Sequence, residues 1–197
     1  MNSERCIVAG CGKKPVVHVH RAWNHRLGQE ARVCADHIEG FLNRYYEMRI
    51  VGDGRGQRWG DATLFDIDML VYDERPDKPC QFSLREVGGS RRLDCQTGPF
   101  EVAALLRELE RFPAPRPLTH RAMVSLMAAL GGRLERVLVD KLLTAERVYE
   151  GKLHIRQASA AVVVDVRVSD AVILAVICDV PIFVSDEVLT ALAETQW

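Results

Sequence analysis

Apolar and polar positions along this chain switch repeatedly between a period of two and a period near 3.6. Val16, Val17 and Val19 alternate loosely around His18, and Arg32-Val33-Cys34 reads as the returning strand. Ala35 to Met48 has helical spacing, with Ile38, Leu42 and Tyr45 on one face. Gly52-Asp53-Gly54-Arg55-Gly56-Gln57 is a glycine-dense polar run that reads as a linker. Beyond it Phe65, Ile67, Met69 and Val71 alternate as a strand, and Pro76-Asp77-Lys78-Pro79 makes a turn. Gln81 to Glu86 and Arg91 to Cys95 are further strands, parted by Gly88-Gly89-Ser90. Pro99 opens a helix to about Arg111, because proline suits a first helical turn. Phe112 to Pro117 is too proline-rich for regular structure. Thr119 is expected to cap a helix carrying Met123, Leu126, Met127 and Leu130, which Gly131-Gly132 ends. Leu134 to Leu142, Val148 to Arg156 and Ala160 to Val166 read as strands. Ala171 to Cys178 and Glu187 to Glu194 read as helices.

Two strand-to-helix junctions look alike: Leu93-Asp94-Cys95 before Glu101-Val102-Ala103, and Val164-Asp165-Val166 before Asp170-Ala171-Val172. Their separation, on the order of 70 residues, is long for a solenoid repeat and suggests a duplicated hairpin-helix unit. Strands and helices are grouped without strict alternation, so the expected class is α+β with mainly antiparallel strands. The expected organisation is a small head at 1–50, a linker at 51–61 and the α+β domain at 62–197.

The 197 residues are 48% hydrophobic and 27% charged, enough for a real core. A net charge of −1 removes any bulk attraction for nucleic acid, so a nucleic-acid site must be a local patch. No window is apolar enough to span a membrane, and the N-terminus has no signal-peptide pattern, so the expected location is the cytoplasm.

The head is rich in cysteine and histidine. Cys6-x4-Cys11 and Cys34-x2-His37 are two close pairs on turns, the arrangement that a tetrahedral zinc requires. So small a segment has little apolar surface, and a metal would supply its stability. Four protein ligands make such a site structural. His18, His20 and His25 are possible substitutes, more readily read as surface or strand histidines. Cys80, Cys95 and Cys178 belong to no motif; no histidine spacing supports Cys95 as a nucleophile.

Three segments carry a further signal: Gly98-Pro99-Phe100-Glu101, Arg116-Pro117-Leu118-Thr119-His120, and Arg167-Val168-Ser169-Asp170-Ala171 followed by Pro181-Ile182-Phe183-Val184. Together, in this order and spacing, they resemble the bifunctional nuclease domain family, over Ala62 to Glu194. The resemblance implies a compact α+β domain, often oligomeric, with nuclease activity on DNA and RNA. Two positions depart from the family pattern: Arg121 stands where an acidic residue is common, and Val168 where proline is common. The head resembles a small zinc ribbon fused to that domain, a possible docking point for a protein partner.

Phosphodiester hydrolysis needs an activated water and positive charge for the phosphorane. Glu101, Asp165 and Asp170 are candidates to hold Mg²⁺ or Mn²⁺, with His120 as base and Arg116 or Arg167 as phosphate clamp. The residues used as the catalytic set are Glu101, His120 and Asp170. Each has a bland reading beside it. Ser169-Asp170 suits an N-cap and a first-turn acid, Glu101 a first-turn acid, and Thr119-His120 a cap and its neighbour. The bland reading of Arg167 is a local partner of Asp170. Arg85, Arg91 and Arg92 suit a solvated turn better than a groove. The rival function is a non-enzymatic oligomeric scaffold or ligand-binding module.

Overall fold

The structure is a computed structural model, and it describes residues 11, 13, 15, 17–23, 26–34, 58–75, 78–143, 148–158 and 160–194. The helix expected over Ala35 to Met48 and the linker at Gly52 to Gln57 lie outside the described residues. So do Cys6, His25 and His37.

The core-forming sheet grows from β4 (Ala62–Asp73), whose residues are almost all buried. Both edges of β4 are occupied, so its backbone is paired on either side, and its polar Thr63, Asp66, Asp68 and Asp73 are buried with its apolar residues. β5 (Cys80–Glu86) and β6 (Arg92–Thr97) follow as an antiparallel meander on one edge, with β3 (Arg58–Trp59) beside the start of β4. On the other edge β10 (Ile182–Ser185) pairs with Ala62 to Phe65, and β1 (Val17–Trp23) pairs with Met69 to Asp73. β2 (Arg26–Val33) returns antiparallel to β1. The head's hairpin thus joins the same sheet as the domain behind it.

β10 is antiparallel to β4 but parallel to β7 (Gly132–Leu143). β7, β8 (Val148–Gln157) and β9 (Ala160–Arg167) form a second antiparallel meander, and among the described residues β9 is the last strand at that end of the sheet. α1 (Pro99–Leu109) follows β6, and α3 (Val168–Cys178) follows β9. A three-stranded meander leading into a helix therefore occurs twice, and the class is α+β with mainly antiparallel strands. α2 (Thr119–Ala129) and α4 (Asp186–Glu194) complete the described helices.

α3 is apolar all round, and Ala171 to Ala175 are buried, as expected of a helix enclosed by the core. α1 and α2 both pack against it. Phe65, Ile67, Phe82, Leu84, Leu93 and Leu105 fill the space between α1 and the first meander. Gly151 of β8 lets the start of α3 approach: a Cβ there would lie 3.0 Å from the Val166 carbonyl oxygen and 3.2 Å from Val168 Cα.

Several local expectations change. β10 was not separately predicted as a strand; four residues are too few to show a period. α3 begins at Val168 with Arg167 as its N-cap, and α2 begins at Thr119 with Leu118 as its N-cap. Neither start carries a side-chain capping bond, so Thr119 and Ser169 are not the caps their residue types suggested. Arg85, Arg91 and Arg92 are each paired, with Asp68 (2.8 Å), Glu86 (2.7 Å) and Asp94 (2.5 Å), so they offer no open basic groove.

Candidate functional site

The site is built by the two similar junctions. β6 ends at Thr97 and α1 starts at Pro99; β9 ends at Arg167 and α3 starts at Val168. Glu101 and Asp170 are each the third residue of their helix. The packing of α1 on α3 brings these equivalent positions to one place. Arg167 joins them: its Nε and Nη2 donate to Asp170 Oδ2 and Oδ1 at 2.7 and 3.0 Å, and its Nη1 donates to Glu101 Oε1 at 2.9 Å. From α2, His120 Nε2 stands 3.0 Å from Asp170 Oδ1. Glu101, His120, Asp170 and Arg167 are thus one connected cluster.

Burial differs within it. The Asp170, Glu101 and His120 side chains are 18%, 18% and 16% exposed, and Arg167 is 66% exposed. Burial pushes the Asp170 carboxyl upward, but the bonds from Arg167 and His120 outweigh it and hold it below its ordinary value. The same contacts, Asp170 first, raise the Arg167 guanidinium further. With Asp170 ionised, His120 Nε2 is the donor and Nδ1 keeps the lone pair that a general base needs.

Two residues support this arrangement from outside it. A Cβ on Gly98 would stand 2.5 Å from Glu101 Oε2, so the missing side chain is the room that the carboxylate occupies. Arg121, where the family resemblance led one to expect an acid, donates to both Glu108 oxygens at 3.1 and 2.6 Å. That fork ties α2, which carries His120, to α1, which carries Glu101. No local pattern announces either role; Arg121 follows a histidine at a helix start and pairs 13 residues back.

Beside the cluster opens a cavity of about 650 Å³. Thr97, Gly98, Arg167 and Ser169 line it from the two junctions, and Arg92 and Tyr149 from the strands. Burial raises the Tyr149 hydroxyl and the Cys95 thiol well above their ordinary values, so both stay protonated. Asp165 does not join the cluster. Val164 opposes buried Leu153, so its neighbour lies on the other side of the sheet, where Lys152 binds it at 2.8 Å. Arg116 is exposed ahead of α2, and no hydrogen bond or ion pair among the described residues ties it to the cluster.

Two carboxylates and an imidazole are the kind of donors that Mg²⁺ or Mn²⁺ takes. As they stand, both carboxylates are committed to Arg167, and among the described residues no three His, Cys, Asp or Glu side chains are grouped to hold an ion. The cluster therefore does not fit a divalent ion unless Arg167 moves. In the head, Cys11 Sγ and Cys34 Sγ lie 3.8 Å apart, and neither forms a disulfide. Two thiolates at about 2.3 Å from one tetrahedral zinc stand at about this separation.

Fold and cluster define an α+β protein in which a histidine–carboxylate pair meets an arginine that lines a neighbouring cavity. The chain belongs to the bifunctional nuclease domain family, which residues 83–196 match. All four cluster residues lie within that match. Two uncharacterized proteins of Mycobacterium tuberculosis, from strains CDC 1551 and H37Rv, are 37% identical over 120 residues, covering 59% of this chain and 68% of each relative. No helix among the described residues is long and apolar enough to cross a membrane.

Proposed function

We propose that this protein is a nuclease acting on DNA, RNA or both, with Glu101, His120 and Asp170 as its catalytic set and Arg167 as phosphate clamp. The observation that carries the reading is the 3.0 Å His120–Asp170 contact, with Arg167, which lines the neighbouring cavity, bridging Asp170 to Glu101. Asp170 orients the imidazole and stabilises its protonated form. His120 Nδ1 takes a proton from the attacking water, the water oxygen forms the new P–O bond, and the P–O bond to the departing strand end breaks, its oxygen taking a proton from solvent. Arg167, the exposed member, turns toward the phosphate and offers its fork to the non-bridging oxygens. The unpaired N–H groups at the uncapped starts of α1 and α3 add positive potential on the same side. Arg116 is proposed as an outer contact for the strand.

With His120 neutral, the four side chains carry one net negative charge. A phosphate is therefore drawn in when positive charge is added with His120 still neutral, by a divalent cation that takes over the carboxylates and frees Arg167. Metal dependence is part of the proposal on that ground, and no step above uses the ion. The test is hydrolysis of single-stranded DNA and RNA in Mg²⁺, in Mn²⁺ and in EDTA. His120→Ala is expected to be slower by about 10² to 10⁴. Asp170→Ala and Glu101→Ala should also lose activity. Activity unchanged in all three variants refutes the site; binding without cleavage in the wild type supports the non-enzymatic module instead.

We further propose that Cys6, Cys11, Cys34 and His37 hold one structural zinc in the head. The 3.8 Å sulfur separation supports two of the four ligands. Metal analysis should return about one zinc per chain, and normal folding without metal would defeat the idea. The free state of Cys11, Cys34, Cys80, Cys95 and Cys178 supports a cytoplasmic location. A zinc-stapled head is also a suitable docking point for a protein partner.

A further inference from the structure

One wall of the cavity beside the cluster is an unused strand edge. Among the described residues β6 pairs with β5 alone. The Glu86 N–H donates to the Arg91 carbonyl, so Leu93, Cys95 and Thr97 turn their backbone groups toward β5. Asp94 and Gln96 alternate with them and turn their N–H and C=O groups to the free edge, where both residues line the cavity. No backbone bond among the described residues takes these groups. Tyr149 lies across the cavity, within electrostatic reach of Asp94 and Cys95 on β6, and its hydroxyl stays protonated. No hydrogen bond among the described residues uses that hydroxyl, or those of Thr97 and Ser169 at the two junctions. Buried Phe82 and Cys95, with Leu192 of α4, give the space an apolar side. The Asp94 carboxylate is already answered by Arg92 at 2.9 and 2.5 Å and by Ser83 at 2.6 Å, so it repels no neutral polar guest. Arg167 belongs to both the cavity and the cluster.

We infer, resting on the nuclease reading above for where the phosphate sits, that this cavity is a nucleobase pocket: it takes one unpaired base of a nucleic-acid strand whose adjoining phosphate lies at Arg167. The walls select this occupant. A free inorganic anion uses the Arg167 end alone and leaves the β6 edge and the apolar side unmet. A peptide strand added to β6 needs an open edge, whereas Tyr149 and the start of α3 wall this space in. A base answers every wall. Its ring faces are apolar, its edge carries donors and acceptors for Asp94, Gln96 and the hydroxyls, and its phosphate is tethered toward the charged end. The volume of about 650 Å³ is ample for a base and its sugar. A base inside a duplex is stacked and already paired along that edge, and enters such a recess only by swinging out. Preference for unpaired nucleotides is the consequence.

The test uses the full-length protein and has two arms. In the first, calorimetry compares AMP, UMP and ribose 5-phosphate, which carry the same phosphate with and without a base. At least one nucleotide should bind about tenfold more tightly than ribose 5-phosphate. Val148 lines the cavity from an exposed position, so Val148→Trp fills the space without crowding the core, and it should erase that preference. Tyr149→Phe keeps the ring and should weaken nucleotide binding about three- to tenfold while leaving ribose 5-phosphate unchanged. Should Val148→Trp fold poorly, Tyr149→Phe decides. In the second arm, an oligonucleotide carries one abasic site. One of the two phosphodiesters flanking it should be cut about tenfold more slowly than in the intact strand, and a fully paired duplex more slowly than the strand. Nucleotides that bind no better than ribose 5-phosphate, a base preference that either substitution leaves untouched, or an abasic site cut at the full rate on both sides overturns the pocket. Base-dependent binding with no hydrolysis of any strand keeps the pocket and refutes the nuclease reading instead.

Discussion

His120 Nε2 and Asp170 Oδ1 lie 3.0 Å apart although fifty residues separate them in the chain. Nothing in the first turn of α3 uses the Asp170 carboxylate as a cap. Its bonds go instead to a histidine from another helix and to the arginine that begins its own. A carboxylate spent this way orients an imidazole, and it makes the pair sensitive to small changes nearby.

Gly98→Ala is the smallest such change. The new Cβ enters space held by Glu101 Oε2, the far end of a flexible side chain, so the helix need not move. We expect Tm to stay within a few degrees and the Glu101–Arg167 bond to be lost, freeing Arg167. Nuclease assays beside a thermal melt check this. A large drop in Tm would mean that Gly98 serves the backbone instead.

Gly151→Val acts through packing. Its nearest neighbours are backbone atoms of Val166 and Val168, which cannot swing aside. Overpacking of this kind costs about 1–3 kcal/mol. It also pushes the start of α3, and with it Asp170, away from β8. Urea titration should show the loss of stability, and hydrolysis should fall with it.

Acid should reveal the carboxylates. Asp73, Glu86 and Asp170 are each held below the ordinary carboxylate value by arginine partners, against the opposing push of burial. A folded carboxyl with a lowered pKa binds fewer protons than its unfolded form. Its stabilising contribution is therefore full above about pH 4, and is lost as pH falls through the lower folded value. Asp170→Asn should flatten this acid limb relative to wild type, measured as urea midpoints from pH 5 down to pH 2.5. An unchanged limb would show that Asp170 contributes nothing to it.

His154 should act a little higher on the scale. It lies under Trp59, with ring centroids 4.9 Å apart, and the Arg136 guanidinium sits 4.0 Å from the same indole. His154 Nε2 and Arg136 Nε are buried without hydrogen-bond partners among the described residues. Burial lowers the His154 pKa, Arg136 lowers it further, and Asp140 and Glu135 oppose them. The unfolded chain then takes up the proton first. Stability from the neutral ring is present above about pH 6.5 and erodes as pH falls below it. His154→Gln should lose less stability than wild type between pH 7.5 and pH 5.5. Equal losses in the two proteins would refute the coupling.

Much of the fold was legible. β4 to β9 were legible within a few residues, because Phe65, Ile67, Met69 and Val71 alternate, β9 is rich in β-branched residues, and glycine- or proline-bearing turns part most of the strands. The proline and glycine boundaries of α1 and α2 were legible for the same local reason. β10 was not, since four residues cannot show a period, and its parallel bond to β7 joins segments far apart in sequence. The Cys11–Cys34 proximity agrees with their spacing, while Cys6 and His37 lie outside the described residues.

The candidate chemistry divides along the same line. The residue types at two alike junctions, and the order of three short segments, were enough to single out Glu101, His120, Asp170 and Arg167. Whether these groups meet was decided by the packing of α1 and α2 on α3, because a contact across fifty or sixty-six residues leaves no trace in local pattern. The same holds for what failed to join. Asp165 was excluded by strand parity, and the Val162-Val163-Val164 run is exposed at an edge because no further strand among the described residues pairs beyond it. Local composition determines which elements form and which charges they carry; only the closing of the sheet and the stacking of its helices determines which of those charges share a place.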